Sequence, residues 1–116
     1  MSLTDNKTID PLELYDSFRN PEFIMKHSHP IEENDHEVYT VKTKVTMPLL
    51  GMVTLGVVYY RGLMKVTPTL FLNDGQAKVL REHNLPLVIH RRKHPTTDEV
   101  YFCFPTRSIF ERIISM

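Results

Sequence analysis

From Glu37 onward the polar and apolar residues take turns. In EVYTVKTKVTM, Tyr39, Val41, Val45 and Met47 fall on one side of a two-residue period, and Thr40, Lys42, Lys44 and Thr46 on the other. That is the pattern of a strand with one wetted face. After the turn residues Pro48-Leu49-Leu50-Gly51 the period continues, with Val53, Leu55, Val57 and Tyr59 on one side and Met52, Val58 and Tyr60 on the other. Apolar residues on both sides predict a central strand, or one that a partner covers. Beyond Arg61-Gly62, Met64, Val66, Leu70 and Leu72 alternate with Lys65, Thr67 and Thr69. Pro68 has no N–H to give a ladder, so this strand is an edge, bulged or interrupted there. Residues 38–72 thus predict a three-stranded meander.

On either side of the meander the period lengthens. Asp10-Pro11-Leu12-Glu13 combines a cap, a proline at the first helical position and a glutamate placed to reach back. Leu12, Tyr15 and Phe18 then form one stripe. Asn20-Pro21 ends this helix and can open a second short one, which His29-Pro30 closes. Asn73 and Gln76 stand at capping-box spacing ahead of a helix over about 75–83, with Ala77 and Leu80 inward and Asn84 ending it. Residues 85–91 and 99–104 predict a last hairpin. A terminal helix follows from Pro105 or Ser108, carrying Ile109, Phe110, Ile113 and Ile114.

The resulting order, α-β-β-β-α-β-β-α, predicts an α+β domain with a largely antiparallel five-stranded sheet and flanking helices. A chain of 116 residues suits one domain, divided into an acidic helical arm and linker (1–37) and a basic sheet body (38–116). The order of elements is similar to that of class I type III secretion chaperones, and the α-β-β-β-α portion over 11–83 resembles a double-stranded RNA-binding domain. Both are likenesses of topology alone. The chaperones are acidic throughout, and the RNA-binding domain opens its second helix on a lysine cluster where this chain has Asn73-Asp74-Gly75. Neither likeness assigns a family.

Composition narrows the setting. Apolar stretches stop near a dozen residues and contain Gly and Thr, short of the ~20 that a membrane helix needs. MSLTDNKTID has neither a basic start nor an apolar run, so no secretory leader is expected. One cysteine, Cys103, makes no internal disulfide and points to a reducing, cytoplasmic setting. The formal net charge of zero hides an asymmetry. Residues 1–37 hold nine acids against three cations, and the rest hold eleven cations against five acids, −6 and +6 respectively.

The densest cations are His90-Arg91-Arg92-Lys93-His94. With Lys42, Lys44 and Lys65 they suggest a phosphate-contacting or partner-binding patch, to which tyrosines such as Tyr60 and Tyr101 add stacking surface. The competing reading is a solvated strand end, because alternate strand positions point to opposite faces. In HSHPIEENDHE, His27, His29 and His36 among carboxylates suit a divalent metal. A solvated linker explains the same residues, as does an acidic segment that docks on the basic body and conceals its phosphate site. Cys103 with His90 or His94 has the composition of a nucleophile and base, although a strand interior more often holds a small buried hydrophobe. The four glycines are isolated, so no phosphate-cradling loop is present and no cofactor is expected.

Met52, Val58, Tyr60, Leu63 and Met64 supply more apolar surface than a one-faced sheet needs, which predicts an interface, most simply a homodimer through the central strands or the terminal helix. The chain therefore reads as a non-enzymatic macromolecular binding module (an adaptor, chaperone-like or inhibitor protein) that pairs with itself and takes a protein rather than a nucleic acid. The alternatives are a nucleic-acid or phosphate binder using residues 90–94, and a small histidine- or metal-dependent enzyme.

Overall fold

The computed structural model describes residues 10–62, 66–93 and 99–116, the side chains of Lys93 and Glu99 excepted. Leu63, Met64, Lys65 and His94 lie outside the described residues. Two short helices come first, α1 (Pro11–Phe18) and α2 (Pro21–Lys26). Each opens on a capping side chain followed by proline: Asp10 accepts from the N–H of Leu12 and Asn20 from that of Glu22, both at 3.0 Å.

Residues 27–37 are not wholly a linker. They contain β1 (Ile31–Glu33), which turns at Asn34-Asp35 into β2 (His36–Met47). Asn34 and Asp35 both take left-handed backbone, φ 51° and 65°, as a tight two-residue hairpin requires. The sheet therefore has six strands rather than five. The meander continues through β3 (Gly51–Tyr60) and β4 (Thr69–Leu72), and β4 begins immediately after Pro68, where the missing N–H costs no ladder bond.

Helix α3 (Asp74–Glu82) starts on a complete capping box: Asn73 accepts from Gln76 N–H at 2.8 Å, and Gln76 Oε1 accepts from Asn73 N–H at 3.1 Å. Gln76 also donates through Nε2 to the carbonyls of Leu50 and Met52, tying this helix to the β2–β3 turn. Left-handed Asn84 (φ 52°) ends it. Two strands, β5 (Ile89–Lys93) and β6 (Glu99–Cys103), and a last helix, α4 (Arg107–Ile114), complete the chain. Thr106, not Ser108, caps α4 by accepting from Ile109 N–H.

Strand order is β1-β2-β3-β4-β6-β5, with every neighbouring pair antiparallel. The last hairpin thus docks on the meander through its second strand and leaves β5 at the edge. The side chains of one sheet face (Tyr39, Val41, Val45, Met47, Val53, Leu55, Val57, Leu70, Leu72, Tyr101 and Cys103) share a single core with Leu14, Tyr15 and Phe18 of α1, Ile24 of α2, Ala77 and Leu80 of α3, and Ile109, Phe110 and Ile113 of α4. All four helices therefore pack on that face, and the structure is a two-layer α+β arrangement. Helices α1 and α2 of the acidic arm are part of this layer and lie on the side away from Lys42, Lys44 and Arg92, so they do not conceal those cations. The terminal helix has Ile109, Phe110 and Ile113 in the core, with Ile114 partly buried beside them. Among the described residues, no helix is long and apolar enough to cross a membrane.

Candidate functional site

Among the described residues, no helix lies on the opposite face of the sheet. Register brings Lys44, Thr54, Phe71, Phe102 and His90 into one row across β2, β3, β4, β6 and β5. Four strand spacings of about 4.8 Å make this row roughly 19 Å long. The neighbouring row holds Lys42, Gly56 and Thr69. Beside these rows the surface dips into a trough of about 740 Å³, lined also by Thr40, Val58, Thr67, Arg91 and Phe104.

Two phenylalanines occupy the middle. Phe71 and Phe102 meet edge to face, with ring centres 5.1 Å apart and planes at 84°. A cation lies on each: Lys42 Nζ is 4.9 Å from the centre of the Phe71 ring, and Arg92 Cζ is 5.9 Å from that of Phe102. His90 meets the ring of Phe104 at 6.0 Å. Gly56 makes the arrangement possible, because a Cβ there would stand 2.8 Å from Phe71 Cε1 and 3.1 Å from Lys42 Cγ.

The face is costly if it stays wet. Met52 is 61% exposed, Phe104 50% and Val58 46%. Burying such a side chain stabilises by about 1.5–3 kcal/mol, while an exposed cation–π contact returns only about 0.5–1 kcal/mol. Among the described residues of β2 to β6, this face carries no carboxylate. Among those residues Lys42, Lys44 and Arg92 have no acidic neighbour on this face, and their field sums over it.

The described side chains of the cluster, His90 to Arg92, alternate along β5. His90 and Arg92 point to the bare side, and Arg91 is in register with Tyr101, whose ring is buried on the helical side. There Tyr101 donates to Asp74 at 2.9 Å and carries Arg81 over its face at 5.3 Å. Lys93 pairs with Glu99 along the backbone. The structure thus joins His90 and Arg92 to Lys42 on the trough, and Arg91, although its register partner is Tyr101, also reaches the trough's lining from the edge strand. Met52, Val58 and Tyr60 share the bare face.

The three histidines of the acidic run are spread out. His27 follows α2 and packs on Phe23 at 4.3 Å, His29 lies in the segment before β1, and His36 opens β2 against the edge of Tyr60 at 6.4 Å. Among the described residues, no three His, Cys, Asp or Glu side chains gather closely enough to hold a metal ion.

The displaced proton affinities belong to ion pairs and to the core. Hydrogen bonds from Arg107 hold the Asp16 carboxyl below its usual range, at 2.9 and 3.2 Å, and Arg107 also pairs with Glu111. Arg61, 2.8 Å away, does the same for Glu37. Cys103 is fully buried between Leu70 and Ile89, and desolvation pushes its thiol up to about 12. Its register partner is Ile89, so His90 points to the other face and the two form no nucleophile–base pair. At pH 8 roughly a thousandfold less thiolate is present than on an unfolded chain. The folded protein is accordingly expected to resist a thiol reagent and to take up one equivalent in urea; rapid labelling without denaturant would place Cys103 at the surface instead.

Phe71, Phe102 and Phe104 carry the site and were not singled out by sequence pattern. The signal lies in VYFCF, where Phe102 and Phe104 alternate with Tyr101 and Cys103, and the latter pair is the buried one. Compared with known proteins, the chain matches no family, no curated protein and no solved structure. Its site must be read from its own residues.

Proposed function

We propose that this protein is a non-enzymatic binding module whose working surface is the bare sheet face, and that the ligand is a nucleic acid. One observation carries this reading: Lys42, Lys44 and Arg92 flank a pair of half-buried aromatic rings on a surface where the described residues of β2 to β6 include no carboxylate. A polyanion with flat apolar groups satisfies both the charge and the rings, and releases counterions as it does so. The threonines between them supply hydroxyls for sugar and phosphate oxygens. The single buried thiol agrees with a cytoplasmic setting.

A second reading, self-association, is favoured by the exposure of Met52 and Val58. It is weakened by charge, since two copies joined by this face would bring Lys42, Lys44 and Arg92 toward their own duplicates. Light scattering separates the two readings. A dimer that Val58→Asp dissociates, in a protein with no nucleic-acid affinity, would support self-association.

Salt gives the direct test of the nucleic-acid reading. Each phosphate contact contributes about 0.7–0.9 to the slope of log affinity against log salt. Replacing Lys42, Lys44 and Arg92 together by alanine is expected to lower that slope by about 2–3. Arg81→Ala, on the helical side over Tyr101, is expected to leave it unchanged. A triple variant that binds with the parent's affinity and slope would remove the bare face from the function.

A further inference from the structure

We infer that the nucleic acid taken by this face is a single strand, with unpaired bases laid on Phe71 and Phe102 and the adjoining phosphates on Lys42, Lys44 and Arg92. The inference deepens the reading above and rests on it. In a duplex the base faces are hidden in the stack and only edges and backbone reach a protein. A surface built for a duplex needs cations and hydrogen-bond donors, and gains nothing from phenyl rings set in its centre. Here the rings hold the centre of a five-strand row, with cations on both flanks.

The angle between the rings supports the same conclusion. Phe71 and Phe102 stand at 84° to one another. Bases stacked on both cannot at the same time be stacked on each other, and a strand can splay its bases in this way only when they are unpaired. The exposed Lys42 and Arg92 now lie over these rings. Both are long and flexible, so each can move to a phosphate and yield its ring face to a base without leaving the trough. Phenylalanine has no hydrogen-bonding group, so stacking here is indifferent to sequence, and the expected preference is for single-strandedness rather than for a particular base.

Fluorescence anisotropy tests the inference with labelled ten-nucleotide oligothymidine and oligouridine, a duplex of the same length, and heparin as a polyanion without bases. The single strands are expected to bind at least about tenfold more tightly than the duplex. Phe102→Leu and Phe104→Leu keep an apolar side chain but remove the ring; Phe102 is half-buried and Phe104 exposed, so the protein is expected to stay folded, which circular dichroism checks. Phe102→Leu is expected to weaken single-strand binding by about 5- to 150-fold and to leave heparin binding unchanged. Equal affinity for single strand, duplex and heparin, with Phe102→Leu without effect, would overturn the single-strand inference and leave the polyanion reading standing. Failure of all four probes at low salt would overturn both.

Discussion

Phe110→Ala is expected to cost about 3–5 kcal/mol and to leave most molecules unfolded in mild denaturant. The ring is fully buried and stacks on Tyr15 with centres 4.7 Å apart and planes at 29°, so it joins the last helix to the first. A cavity left there has no easy way to close. Tyr15 is anchored by its hydroxyl, which donates to the carbonyl of Pro105 at 2.7 Å in a buried setting. Moving the tyrosine inward would strand that carbonyl, at a cost of about 1–3 kcal/mol. The two penalties oppose each other, so the void persists and the upper part of the range is expected. Against a total stability of about 5–15 kcal/mol, and with urea slopes of about 1–3 kcal/mol per molar, the urea midpoint is expected to fall by about 2 M. A fall below about half a molar would mean that the α1–α4 contact is not part of the cooperative core. Phe110→Leu, which keeps most of the volume, is expected to recover more than half of the loss.

This dependence explains why part of the fold could be read from the sequence and part could not. Period-two alternation in a strand with one buried face leaves little ambiguity, and Tyr39, Val41, Val45, Met47, Val53, Leu55, Val57 and Tyr59 are all buried as their spacing predicts. Caps were equally legible at Asp10, Asn73 with Gln76, and Asn84, because each acts within three or four residues. Strand β1 was not. Its residues Ile31–Glu33 are all exposed, so no burial pattern marks them, and only the left-handed pair Asn34-Asp35 betrays the hairpin. The start of β5 was misplaced for a related reason. Leu85 goes to the core and Leu87 N–H turns back to the Leu85 carbonyl at 2.7 Å, so the apolar run ahead of Ile89 is a turn rather than a strand.

The candidate site is less legible than the fold because register assembles it. Lys44, Thr54, Phe71, Phe102 and His90 come from five strands, and no local pattern says that β4 pairs with β6 rather than β5. Adjacency in sequence favoured His90-Arg91-Arg92-Lys93-His94 as one patch. The pleat alternates Arg91 and Arg92 along an edge strand, where both reach the trough lining, and sets Arg92 on the face of lysines some fifty residues earlier.

One added side chain is expected to affect binding more than stability. At an ordinary strand position Gly→Val stabilises, by up to about 1 kcal/mol, because the branched chain suits the pleat. At Gly56 the sign should reverse. A Cβ meets Phe71 Cε1 at 2.8 Å, Lys42 Cγ at 3.1 Å and the Val41 carbonyl oxygen at 3.2 Å. Overpacking of this kind costs about 1–3 kcal/mol, which the strand preference offsets in part, so Gly56→Val should remain folded with a net loss of about 0–2 kcal/mol. The Phe71 ring can yield only by swinging off the trough floor, which takes its face away from the place where a base would lie. Single-strand affinity is then expected to fall as though the ring were absent, by about 1–3 kcal/mol of binding free energy. Thr54→Val is the matched control: it lies beside Phe71 in register and already has the branched shape, so it removes a hydroxyl without moving the ring and should leave affinity nearly unchanged. A folded Gly56→Val protein that binds single strands as well as the parent would show that the position of Phe71 is irrelevant, and that the clearing above Gly56 serves packing alone.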